Sequence, residues 1–199
     1  PNLVMFDIQS DQRPGVERTL SQRGLPLGSV APIVPARIAA INGRTVQQLL
    51  ADSVERGRWA LRREFRNTYR DHLQDSETLV SGEWWSAPRA SDALPRISVE
   101  EGLAEELSIG LGDRITWDVQ GVPIETRITS LRKVIWARFE PNFFVVFEPG
   151  DAGPDRKAVA LADGFEDVGM GLVDGRRPGL RGSRQHVEQL GAVREVAGV

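Results

Sequence analysis

The spacing of hydrophobic and polar positions changes several times along this chain, and each change marks an element. Leu3, Val4, Met5, Phe6 and Ile8 form a short apolar run of strand character, punctuated by Arg13-Pro14-Gly15. A helix then fits Val16 to Leu20, ending at Gly24. Beyond the turn-rich Leu25-Pro26-Leu27-Gly28, the stretch Ile33 to Ile41 reads as a long strand closing at the Asn42-Gly43 turn signal. This is the strand–helix–strand opening of an α/β sandwich. Residues 46–73 have helical spacing, with Val46, Leu49, Leu50, Trp59, Ala60, Leu61, Phe65 and Tyr69 separated by arginines; Leu79 to Trp85 breaks that period.

Residues 97–129 carry the clearest pattern. Ser98 followed by Glu101 predicts a capping box, Val99, Leu103 and Leu107 recur every four residues, and Gly110 predicts a left-handed stop. Ile115, Trp117 and Val119 then alternate with polar residues, Gly121 marks a turn, and Ile124 and Ile128 continue on a returning strand. Val134 to Trp136 and Asn142 to Phe147 read as two more strands, the second buried on both faces. After Glu148 the character shifts: half of the 20 glycines lie there, isoleucine is absent and Phe165 is the only aromatic. Such a segment buries too little apolar surface to offset chain entropy, so a poorly ordered tail is expected, with one weak helix over Val187 to Val196. The expected division is 1–45, the first half of an α/β part; 46–149, a helical and β-rich insertion; and 150–199, the atypical tail.

Composition narrows the function. With 25 basic and 28 acidic residues the net charge is −3, which gives no broad cationic field, so nucleic acid is not an expected partner. The absence of cysteine removes disulfide scaffolds, thiolate metal sites and cysteine nucleophiles together. No run of apolar residues has the length of a membrane helix. There is no G-x-S-x-G elbow, phosphate loop, H-E-x-x-H or EF-hand spacing, and the histidines are His72 and His186 alone. The best enzyme candidate is Glu64, Asp71, His72 and Asp75, with His72 as a general base; an exposed end of an Arg-rich helix is the simpler account. Arg62, Arg63, Arg66 and Arg70 read as the solvated face of that helix. Glu100, Glu101, Glu105 and Glu106 read as structural, and Gly110-Leu111-Gly112 follows a helix, the reverse of a dinucleotide loop. No catalytic, cofactor-binding or metal-binding residue is therefore assigned. Trp84-Trp85 is different: strand alternation buries at most one of two neighbours, leaving the other as a partner contact.

Ile97 to Leu107, Leu111 to Thr116, and Gly121 with the strand ending at Ser130-Leu131-Arg132 together resemble the extracytoplasmic, MacB-like periplasmic core domain of MacB/FtsX-type ABC transporter permeases. Trp136 to Phe144 and the opening Pro1-Asn2-Leu3 with Ile8-Gln9 are similar to the YbbP-like members, and the resemblance covers about 1–149. It implies an α+β fold, a porter-like β-α-β part with a β-rich insertion, incomplete at the C-terminal side, so that the strand Ile33 to Ile41 is left with an open edge. It further implies a non-catalytic, cofactor-free domain on the periplasmic side of the bacterial inner membrane. Such a domain couples ATP-driven movement of membrane helices to export or extraction of a lipid, lipoprotein or peptide. Its implied partners are a cytoplasmic ATPase subunit, a second permease copy or half, and a periplasmic lipid, lipoprotein or protein. The membrane helices of that family are absent from the sequence, and the tail does not resemble it, as a truncated or out-of-frame end would not. The competing expectations are a freestanding periplasmic binding or interaction module of the same fold, and a His72-dependent hydrolase.

Overall fold

The computed structural model describes residues 3–9, 11–52, 58–85, 93–138 and 140–149, together with the backbone of 169–173. The opening forms as β1 (Leu3–Ile8), α1 (Arg13–Gln22) and β2 (Leu27–Pro32). Pro14 lies in the first turn of α1, where its missing N–H costs nothing. The helix stops where Gly24 turns to φ 62 and the Leu25 N–H returns to the Leu20 carbonyl. β2 occupies a stretch whose Pro and Gly predict turn. It becomes a strand because a segment far along the chain supplies its ladder: β11 (Gly169–Val173) pairs antiparallel with both β1 and β2, setting Leu3 opposite Val173 and Met170 opposite Ala31. β1 and β2 thus run parallel on either side of β11, a β-α-β unit split by a third strand. The expected poorly ordered tail contributes a strand at Gly169–Val173, held by backbone hydrogen bonds on both edges. The helix expected over Val187 to Val196, and His186, lie outside the described residues.

The second sheet takes in β3 (Val34–Ile41), β4 (Arg44–Thr45), β5 (Glu64–Tyr69), β6 (Glu77–Gly82), β7 (Arg96–Glu100), β8 (Arg114–Val119), β9 (Val122–Val134) and β10 (Val145–Phe147). The pairings β3-β5-β10-β7-β9-β8 return to β3, so six strands close into a ring, with β4 and β6 attached outside it. β5–β10 and β7–β9 are parallel and the other pairs antiparallel. Closure leaves β3 paired on both sides, and the expected open edge of this strand does not exist. The sheet boundary falls at Ile33, between β2 and β3, ahead of the division expected at residue 45.

Two of the expected turns form as drawn. Asn42 and Gly43 (φ 50 and 78) link β3 to β4, and Gln120 and Gly121 (φ 48 and 86) link β8 to β9, each a two-residue hairpin with positive φ at both positions. One face of the ring packs Ala36, Phe65, Val99, Trp117, Ile128 and Val145 with the short helices α2 (Val46–Asp52), α3 (Arg58–Arg62) and α4 (Glu101–Leu107). Trp117 is fully buried, meets Phe65 edge-on at 6.1 Å, and donates its indole N–H to Thr126 Oγ1 at 3.0 Å.

Several local expectations are corrected. Residues 46–73 are not one helical stretch, because α2 and α3 give way at Glu64 to β5, in which Phe65 and Asn67 are buried and Glu64 and Arg66 exposed. Ser98 lies buried inside β7, and the cap of α4 is Glu100, whose carboxylate accepts from the Leu103 N–H at 2.8 Å. The left-handed stop is Ser108 (φ 54) and not Gly110. Val134 ends β9, so Val134 to Trp136 forms no separate strand, while the apolar run after Asn142 narrows to β10, with Val145 and Val146 fully buried.

Candidate functional site

A cleft of about 370 Å³ opens where the three-stranded sheet and α1 meet the end of β5. Its walls are apolar: Met5 and Ile8 from β1, Val16 from α1, and Leu27, Val30 and Pro32 from β2. Tyr69, Arg70 and Asp71 close the side formed by β5, and Pro149 approaches from beyond β10. Glu148, next to Pro149, is ion-paired with Arg96 at the start of β7, which anchors that wall to the ring. At the rim Arg13 is paired with Glu17 at 2.9 Å across one exposed helical turn.

Beneath the cleft lies a buried charge network. Glu77 on β6 accepts from Arg132 Nε on β9 at 3.0 Å and from Arg70 Nη2 at 2.5 Å. Arg132 is fully buried and also donates to the backbone carbonyls of Ser98 (2.7 Å) and Phe143, and so ties β6, β7, β9 and the approach to β10 together. Burial alone would raise the Glu77 carboxyl; the Arg132 and Arg70 guanidiniums beside it outweigh that and hold it below the usual carboxylate range. Burial pulls Arg132 down to about 10, with Glu77 acting in the opposite sense, and it remains a cation at neutral pH. Arg70 gives its Nε to the His72 carbonyl at 3.0 Å, and its Nη1, buried, has no hydrogen-bond partner among the described residues.

Trp84 and Trp85 grip the same segment from behind. Their rings stack with centroids 4.0 Å apart, and their indole N–H groups donate to the Asp71 carbonyl (2.8 Å) and the Arg70 carbonyl (3.0 Å) respectively. Trp85 is buried and Trp84 half-buried. The tryptophans most open to solvent are others: Trp59 and Trp136, 44% and 46% exposed, both pack against Phe144, with the Arg63 guanidinium 5.2 Å from the Trp59 ring. Their sequence signal was a helical period for Trp59 and a strand for Trp136, both of which predict burial.

The candidate enzyme cluster is not assembled. Glu64 begins β5 and pairs with Arg37, whereas His72 follows the strand's other end, roughly 17 Å away at strand rise. His72 contacts Asp71 alone among those carboxylates, at 2.7 Å with both side chains exposed, and that hydrogen bond lowers the Asp71 carboxyl. Asp75 meets Arg138 through its backbone carbonyl. Arg66 stands on β5 and Arg70 just past its end, neither on a helix face, and Arg70 is buried. Among the described residues no group of three or more potential ligands is placed to hold a metal ion, and no helix is long and apolar enough to cross a membrane. Arg132 carried a readable signal: it shares the buried phase of β9 with Ser130 and Val134, and a charged residue in that phase demands a buried counter-ion.

No family model matches the chain. It is 32% identical over 150 residues, 75% of its length, to YbbP of Escherichia coli (strain K12), named as an uncharacterized ABC transporter permease; the match spans 17% of that relative. A crystallised domain assigned to a permease protein of Porphyromonas gingivalis aligns with 89% of this chain and 74% of its own length at 13% identity and a TM-score of 0.39, a likeness too loose to transfer topology. On the sequence match, three quarters of this chain is similar to a segment of an ABC transporter permease, YbbP.

Proposed function

We propose that this chain is the extracytoplasmic domain of a membrane-embedded ABC permease, and that it works by moving and not by catalysis. The observation that carries the reading is the 32% identity to a permease over three quarters of the chain. The fold supports it: among the described residues the three-stranded sheet and the closed ring share no ladder hydrogen bonds, and they are joined in sequence at Ile33, which suits two bodies displaced relative to one another. A cytoplasmic ATPase would drive membrane helices flanking the domain, and a second permease copy or half would complete the transporter. A lipid, lipoprotein or peptide on the periplasmic side is the cargo class. The half-buried face of Trp84 is offered to such a partner.

Placement is tested by fusing alkaline phosphatase or green fluorescent protein after Pro149 in the whole permease. An active phosphatase and a dark fluorescent fusion are expected; the reverse pattern overturns the periplasmic reading. Coupling is tested with Val30→Cys and Pro149→Cys, one on each side of the cleft, in a domain whose own sequence has no cysteine. ATP hydrolysis by the reconstituted transporter should fall on oxidation and recover on reduction. Turnover indifferent to a verified crosslink overturns the mechanical role.

A further inference from the structure

We propose that the cleft between the three-stranded sheet and the end of β5 binds a single-chain amphiphile, its apolar tail against Met5, Val16 and Val30 and its anionic head on Arg70. A volume of about 370 Å³ lies in the range of small-molecule sites, which are lined by apolar side chains and oriented by a few convergent polar groups. Arg70 is such a group. It is more than nine-tenths buried, and two of its donors are committed to His72 and Glu77 while Nη1 is unpartnered among the described residues. A buried N–H without an acceptor is costly, and an oxyanion relieves that cost where an apolar ligand does not.

The surrounding charges select the sign. Arg70 and Arg132 share the one carboxylate of Glu77, so the pair is under-neutralised. Glu100, the next acid, is committed to capping α4. The other acids at the cleft are engaged elsewhere: Asp71 with His72 and Glu17 with Arg13, both at exposed positions. A guanidinium recognises carboxylate and phosphate alike, so the head is a carboxylate or a phosphate monoester.

The test is calorimetric titration of the 199-residue chain with dodecanoate, dodecyl phosphate, dodecanol and acetate, each below its aggregation threshold. One saturable site is expected for the two anionic amphiphiles, the tighter of them identifying the head group. Dodecanol should bind about 10- to 100-fold more weakly, the loss expected for a hydrogen bond to a charged group, and acetate should not register. Arg70→Gln should remove the preference for the anions over dodecanol. Because Arg70 also supports the network, Val16→Trp is the second variant: it fills the apolar part of the cleft from α1 without touching Arg70, and should abolish binding while melting like the parent. Equal affinity for dodecanol and dodecanoate, undiminished binding by a folded Val16→Trp chain, or no saturable site up to about 1 mM overturns the proposal. The assay needs neither membrane nor ATPase, so its failure leaves the transport reading untouched.

Discussion

Glu77→Gln isolates the charge at the centre of the buried network while keeping the side chain's shape. The carboxylate is fully enclosed and accepts from Arg132, from Arg70 and from the Gln74 N–H. The amide leaves two buried guanidiniums without a counter-ion, and breaking a buried pair from one side costs about 3–5 kcal/mol. That is a large share of a domain's usual 5–15 kcal/mol, so the variant should stay folded with little margin. With a urea dependence of about 2 kcal/mol per M, the midpoint should fall by roughly 2 M at neutral pH. The pH dependence fixes the cause. Glu77 titrates lower in the folded chain than its ordinary 4.5, so its contribution is complete above that value and is lost as pH falls through the lower folded pKa. The gap between parent and variant should therefore be constant from about pH 7 to pH 5 and narrow on further acidification. A neutral-pH gap under about 1 kcal/mol, or one that widens in acid, refutes the reasoning.

Gly82→Ala should destabilise by more than about 2 kcal/mol in thermal or urea unfolding, because Gly82 has φ +77 and a Cβ there would lie 2.1 Å from the Thr129 carbonyl oxygen. Gly110→Ala, with nothing within 4 Å of the added carbon, should stay within about 0.5 kcal/mol of the parent. Ser108→Gly should stabilise by about 0.5–1 kcal/mol, since the C-cap of α4 has φ 54, and a loss in the same melt would count against a strained cap. Trp85→Phe should cost about 1–3 kcal/mol by leaving the Arg70 carbonyl unpaired. His72→Ala, at an exposed position, should melt within about 0.5 kcal/mol of the parent.

What the sequence made legible was local. The β8–β9 hairpin follows from alternation on both sides of Gly121, and α1 from its apolar spacing and Gly24 stop, although Arg13-Pro14-Gly15, read as a break ahead of it, forms its first turn. β5 was hidden because Leu61, Phe65 and Tyr69 fall four residues apart, a spacing that a helix and a loop-then-strand satisfy equally. Ser98 and Glu101 match a capping box letter by letter, yet the buried demands of β7 carry the strand through Ser98 and hand the cap to Glu100. The cleft was not legible at all. Its walls come from β1, α1, β2, the end of β5 and Pro149, and only ring closure and the β11 ladder bring them together. Trp84 and Trp85 lie beyond the end of β6, so strand alternation does not set their burial, and their indole N–H groups hold the cleft's own segment in place.

The position of β11 between β1 and β2 sets an order of assembly. During synthesis the first two strands of the small sheet leave the ribosome early and cannot pair with each other, because the strand that joins them includes residues 169–173. The ring needs only residues up to Phe147, so it can close first and present a finished surface to which the early strands later attach. Met5, Ile8, Leu27 and Val30 stay uncovered until then, and the chain acquires its cleft as the last event of folding. A product halted before Gly169 would therefore hold a complete ring and no cleft, with two unpaired strand edges open to other chains.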